Sequence, residues 1–192
     1  MQEQKIYGRR DGAVGHVVFN NPAKRNAVSL DMWDGFVGLL QDYAKDPEIR
    51  CVVVSGVGGK AFVSGADISK FESERANAEA QVRYDSISRQ GYEALYEFPK
   101  PTIAKITGYC IGGGMNLAAC CDLRYCNEGA RFGVPAARLG LGYGFLRIER
   151  LSRTSACRGR WNSCSRPSST RRRRPTTWAW CRVWRPMPGL TA

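Results

Sequence analysis

The chain has 192 residues, enough for one domain with a real core and a squeeze for two. Its 43% hydrophobic content excludes bulk disorder, and no apolar stretch reaches the roughly 18 residues of a membrane span. The net charge of +12 would point to nucleic acid, but residues 152–192 hold ten of the 29 basic residues and none of the 17 acidic ones.

Residues 1–151 therefore carry 19 basic and 17 acidic residues, a near balance of +2. Within them, strands and helices alternate. Ala13–Asn20 (AVGHVVFN) reads as a strand that stops at the Asn20-Asn21-Pro22 turn, because proline cannot continue a ladder. Ser29 is the expected N-cap of a helix, with Asp31 and Asp34 near its positive end. Met32, Trp33, Phe36, Val37, Leu40 and Tyr43 then recur at helical spacing. Cys51–Ser55 (CVVVS) is a short, continuously apolar strand, as expected where both sheet faces are covered. A loop over Gly56–Gly59 precedes Ala61-Phe62 and a turn at Ser64-Gly65-Ala66-Asp67. An amphipathic helix spans Ala76–Glu97 and ends before Pro99. Pro101–Ile106 is a strand, Gly108–Gly114 a glycine-rich turn, Met115–Cys121 a buried helix and Leu123–Cys126 a strand. The alternation predicts a layered α/β domain.

From Ser152 the periodicity stops. Arg171–Arg174 is a run of four like charges followed by Pro175, and four of the five tryptophans lie beyond Leu151. Such a segment buries too little apolar area to offset its ordering entropy, so a poorly ordered tail is expected over 152–192, after a domain over 1–151. The polar stretch Met1–Arg10 lacks the apolar run of a secretory signal, and a cytoplasmic location is the expectation. The eight cysteines form no C-x-x-C pair and His16 is the single histidine, so no metal site is expected. Cys120, Cys121 and Cys126 read as small core residues.

Two glycine-rich turns, each following a strand, stand about fifty residues apart at Ser64–Asp67 and Gly108–Gly114. Turns of this kind leave backbone N–H groups unpaired, and glycine lets a ligand approach them closely. Two such groups converging on one oxygen make an oxyanion hole, whereas a lone turn serves equally well to pack a helix on a strand. Gly140-x-Gly142-x-Gly144 lacks the pattern of a dinucleotide site.

Taken with their flanks, the turns give a fuller pattern. Asn21–Ala27 (NPAKRNA), Ala61–Ile68 (AFVSGADI), Pro99–Ala104 (PKPTIA), Gly108–Gly114, Cys121–Arg124 (CDLR), Phe132–Pro135 (FGVP) and Arg150-Leu151 stand in one order and spacing. In this the chain resembles the crotonase superfamily, the enoyl-CoA hydratase/isomerase family. The resemblance implies a spiral of ββα units that binds acyl-CoA thioesters. By position, the Ala66 and Gly113 N–H groups would hold the thioester oxygen as it becomes an enolate. Lys24, Arg25, Ala27, Ser64, Asp67, Ile68 and Ser69 would lie along the CoA, which enters as part of the substrate; no permanently bound cofactor is implied. The family assembles as trimers or hexamers through a C-terminal part.

Departures from the family pattern are equally informative. Its hydratases use two glutamates, and the matching positions are Asn116 and Ala136. An amide hydrogen-bonds water but cannot take its proton at neutral pH, and a methyl group does neither. Asn116 is either a substrate contact or an ordinary helix residue. Tyr143 matches a tyrosine of the methylmalonyl-CoA decarboxylase branch, whose chemistry needs an enolate hole but no base for water; a tyrosine packing on a pocket wall is the alternative. Asp122 reads as structural rather than catalytic. Lys45, Lys60, Lys70 and Lys100 read as solvated charges, one of which could meet a CoA phosphate.

The tail has the composition of GC-rich codons read out of frame. Trp178-Ala179-Trp180-Cys181 requires TGG GCN TGG TGY, which one base earlier reads Leu/Met/Val, Gly, Leu/Met/Val, Val. The family carries a Gly-Leu-Val stretch in this region. A frameshift near Leu151 accounts together for the arginines, the tryptophans and the missing acids. The rival is a basic tail that neutralises phosphates and stacks on bases.

Overall fold

A computed structural model describes residues 4–67, 78–136, 142–154 and 182–183. Four strand–strand–helix units run along them. The first is β1 (Ile6–Asp11), β2 (Val14–Phe19) and α1 (Leu30–Lys45). Next come β3 (Cys51–Gly56), β4 (Ala61–Val63) and α2 (Ala78–Tyr96). The third is β5 (Thr102–Ile106), β6 (Tyr109–Ile111) and α3 (Gly113–Cys120), and the fourth β7 (Leu123–Cys126), β8 (Arg131–Gly133) and α4 (Phe145–Thr154). A two-residue strand, β9 (Arg182–Val183), lies beyond them.

The large sheet has the order β1-β2-β3-β5-β7-β9, and a small sheet has the order β4-β6-β8. Among the described residues, only the β1–β2 pair is antiparallel. From the second unit on, the first strand of each unit joins the large sheet and the second joins the small one. Helical crossovers of this kind keep successive strands parallel. This is the α/β spiral of ββα units that the resemblance implies. Among the described residues, no helix is long and apolar enough to cross a membrane.

The core lies between the large sheet and its helices. α1 buries Met32, Trp33, Phe36 and Leu40 at the spacing that places them on one face. Phe36 stacks on Phe19 of β2 with ring centroids 5.6 Å apart. Val52 and Val54 of β3 are wholly buried, as the continuous apolar run predicts. Ser29 takes the N-cap position with an extended backbone, but its hydroxyl makes no capping bond.

The elements without a sequence signal share a physical cause. β1 is an edge strand whose residues after Ile6 are mostly exposed, so it shows no apolar alternation. β6 and β8 are three residues each, too short for any period. α4 buries only Leu151 and runs to Thr154, three residues past the break in composition. It is held instead by two stacked cations: Arg147 lies over the Tyr92 ring at 5.3 Å and Arg150 over Tyr96 at 4.1 Å. Residues 155–181 and 184–192, where a poorly ordered tail is expected, lie outside the described residues. Arg182 and Val183 pair in parallel with Tyr125 and Cys126, an added edge strand that no periodicity announces.

Lys100 corrects the expectation of a solvated charge. Its Nζ donates to the carbonyls of Tyr43 and Asp46 at 2.6 and 2.5 Å, so it caps the negative end of α1. Asp122 is structural, as expected. Its Oδ2 accepts from the Thr102 N–H and hydroxyl, both at 2.8 Å, and its own N–H donates to Thr102 Oγ1 at 2.9 Å. Cys120, Cys121 and Cys126 are buried core thiols. Burial pushes Cys120 up to about 11, against the pull of Arg150, so it stays a neutral thiol.

Candidate active site

The small sheet assembles the site. β4, β6 and β8 are parallel, so the segments that leave them emerge at one edge. These are Ser64–Asp67 after β4, Gly112–Asn116 after β6 and Val134–Ala136 after β8. Fifty residues of separation in sequence vanish in one step of strand pairing.

Two glycines make the close approach possible. Gly65 has φ +106°, a left-handed value that a side chain would strain. Gly114 is jammed against β4: a Cβ there would overlap the Val63 carbonyl oxygen. The turns abut as a result. An ideal Cβ on Gly113 lies 3.5 Å from Gly65 Cα, and one on Gly65 lies 3.6 Å from Gly113 N.

The direction of the Ala66 amide follows from its pairing. Val28 and Ala66 form a parallel bridge in which Val28 N–H donates to Gly65 O at 2.9 Å and Asp67 N–H donates to Val28 O at 3.0 Å. In that arrangement the N–H of Ala66 points away from Val28. Gly113 opens α3, so its N–H is one of the unpaired donors of a helix N-terminus. Neither amide has an acceptor among the described residues. α3 carries no acidic residue in its first turn, which leaves its dipole unopposed at Gly113.

Asn116 sits three residues after Gly113, on the same face of α3. Helical side chains lean toward the N-terminus, which brings its amide over the Gly113 turn. It is 4% exposed, and both Oδ1 and Nδ2 lack a partner among the described residues. An orphaned buried amide costs about 1–3 kcal/mol, and a ligand in the site is the natural partner for it. Asn116→Leu, which keeps the branched outline and removes the polar atoms, is therefore expected to raise stability by about 1 kcal/mol in a urea melt. A loss of stability would mean that Asn116 already has its partners.

Tyr143 is half-buried, with its Oη 3.8 Å from where a Cβ of Gly112 would stand. It thus joins the same turn. Lys24 Nζ pairs with Asp67 Oδ2 at 2.8 Å, and Asp67 is buried while Lys24 is exposed. Ser64 Oγ donates to the Lys24 carbonyl at 3.3 Å. Lys24, Ser64, Ala66 and Asp67 are thus one cluster. Ala27 is buried, and its carbonyl accepts from Asn21 Nδ2 at 3.1 Å. Arg25 is elsewhere: its guanidinium lies 5.1 Å over the ring of Tyr109, at the other end of β6 from the Gly112 turn. Ile68 and Ser69 lie outside the described residues.

Two residues that the sequence reading leaves unassigned support the site. Asn26, fully buried with φ +56°, accepts from Asn21 N–H at 2.9 Å. It also donates to the carbonyls of Val57 and Ala61 at 3.0 and 2.8 Å. It clips the Lys24–Ala27 turn to the start of β4. Its signal was present, since asparagine tolerates left-handed backbone in a turn. Tyr92 of α2 donates its hydroxyl to Gly113 O at 3.3 Å, from a wholly buried ring whose burial raises its pKa. Its spacing with Leu95 marks it only as core.

This geometry has counterparts. The enoyl-CoA hydratase/isomerase family model matches residues 9–158. A mitochondrial Delta(3,5)-Delta(2,4)-dienoyl-CoA isomerase of Mus musculus is 38% identical over 145 residues, 71% of this chain and 44% of that protein. A short-chain-enoyl-CoA hydratase of Clostridium acetobutylicum is 33% identical over 153 residues, 80% of this chain and 58% of that one. A crystal structure of an enoyl-CoA hydratase/carnithine racemase from Magnetospirillum magneticum superposes with a TM-score of 0.76 at 36% identity, covering 80% of this chain and 58% of that chain. The chain spans about half the length of the relatives it matches. With the family model matched over most of its length, the chain belongs to the enoyl-CoA hydratase/isomerase family.

Proposed function

We propose that this chain binds acyl-CoA thioesters and stabilises the thioester enolate with the N–H groups of Ala66 and Gly113. The observation that carries the reading is the abutment of the two glycine turns, with both amides lacking an acceptor among the described residues. An oxygen held between them gains negative charge as the enolate forms, and each donor is worth about 3–4 kcal/mol in the transition state. Lys24, Ser64 and Asp67 cluster beside Ala66, and the CoA moiety would lie along them. The relatives' names, a dienoyl-CoA isomerase and a short-chain-enoyl-CoA hydratase, support this substrate class.

The test is a thermal melt with crotonyl-CoA, butyryl-CoA and free CoA. A thioester at a hundred times its Kd adds about 2.7 kcal/mol, a rise of roughly 5–10 °C. The rise should be larger for thioesters than for free CoA. No rise with any acyl-CoA would instead make the chain an inactive fragment.

Neither hydratase carboxylate is present, so hydration by this chain is slow. Tyr143, beside the Gly112 turn, favours a second reading: decarboxylation of an acyl group that carries its own carboxylate. The break in composition near Leu151 is what supports the frameshift reading. Trimeric or hexameric assembly through a restored C-terminal part belongs to the same reading. Phe145 is 77% exposed on α4, a face such a part would cover.

A further inference from the structure

We infer that Tyr92 is a positioning residue for the oxyanion turn, and that Arg147 of α4 acts on that turn through it. The inference rests on the thioester reading above. It starts from a difficulty in the sequence. Gly112-Gly113-Gly114 is the softest backbone in the chain, yet an oxyanion donor must be held within a few tenths of an ångström of its working distance. A helix end made of glycine frays unless neighbours fix it.

Three contacts do so. The Gly112 N–H donates to Gly133 O of β8 at 2.8 Å, which fixes the entry to the turn. Gly114 is wedged against the Val63 carbonyl, which fixes its exit. Between them, the Tyr92 hydroxyl holds the Gly113 carbonyl at 3.3 Å. That carbonyl and the Gly113 amide are joined only by the φ and ψ rotations of Gly113 itself. Holding one restricts the swing of the other.

Tyr92 is built to hold still. Its ring meets Trp33 edge-on at 4.8 Å, and Trp33 is so tight against α2 that a Cβ on Gly91 would overlap its ring. The opposing cation is Arg147, 5.3 Å from the ring centroid, whose Nη2 donates to Ser88 Oγ at 3.4 Å. A cation on the ring face withdraws electron density and makes the hydroxyl a better donor. Burial keeps that hydroxyl protonated, so it brings no negative charge toward the oxyanion. Arg147 thereby ties α4, the element that spans the break in composition, to the turn.

A chromophoric thioester, para-dimethylaminocinnamoyl-CoA, reads the geometry directly, because its absorption moves to the red as its carbonyl is polarised. The full chain is titrated with it, and the same is done with Tyr92→Phe and Arg147→Met. Tyr92→Phe keeps the ring and removes only the donor. It is expected to bind within about threefold of the unaltered chain while losing at least half of the red shift. Arg147→Met, which leaves the hydroxyl in place, should lose a smaller part. A merely structural tyrosine would change the affinity or the melting temperature and leave the shift of the bound probe intact. A full red shift in Tyr92→Phe overturns the inference alone. Tight binding without any red shift in the unaltered chain overturns the oxyanion reading, and the inference with it. If Tyr92→Phe fails to fold, Arg147→Met decides, and a full shift there overturns the coupling through α4.

Discussion

Asn26→Ala is expected to destabilise the chain by about 4 kcal/mol, a fall in melting temperature of roughly 8–16 °C. The substitution strips the partner from three backbone groups at once: the Asn21 N–H and the carbonyls of Val57 and Ala61. Asn26 has no exposed surface, so water cannot easily take its place. Its φ of +56° adds strain for any alanine there. A loss of this size is a large share of the total stability of an ordinary domain. It also reaches the site, because Val28, two residues on, forms the bridge that orients Ala66. Thioester binding should fall with stability. Asn26→Asp, which retains the acceptor but turns a carboxylate oxygen onto the two carbonyls, should fall at least as far. A melt lowered by only a few degrees in Asn26→Ala would show that the turn is held by something else.

The second large effect is a gain. Asn116→Glu combined with Ala136→Glu is expected to raise crotonyl-CoA hydration at least a hundredfold over the unaltered chain, read at the loss of enoyl absorbance. General acid–base groups contribute about 10²–10⁴ each, and only a carboxylate at these places can take a proton from water and return one to carbon. Asn116 lies on α3 over the Gly113 turn, and Ala136 follows β8 at the same edge of the small sheet. Each single variant should gain far less, because the two groups act on one water and one carbon. The comparison is made on variants that melt normally and still bind thioester. No gain in such a double variant would mean that the edge of the small sheet does not face the acyl group.

Much of this protein was legible in the residues. The apolar run of β3 and the helical stripe of α1 declared themselves because burial selects for side chains directly. The glycine turns declared themselves because only glycine fits a left-handed backbone or a close approach. The family pattern pointed to Ala66, Gly113 and the two missing carboxylates, and the break in composition near Leu151 needed no coordinates. What the sequence could not show was how distant turns meet. Parallel pairing of β4, β6 and β8, strands of three residues each, carries no periodicity to read. Yet that pairing alone sets Gly65 against Gly113. Lys100 could not be told from a solvated lysine, because a helix C-terminus recognises it only after the chain has brought Tyr43 and Asp46 beside it. Tyr92 had no reading of its own beyond a place in the amphipathic helix. Its role depends on a hydroxyl aimed at one carbonyl, and directions of that kind are settled only when helices and sheets pack together.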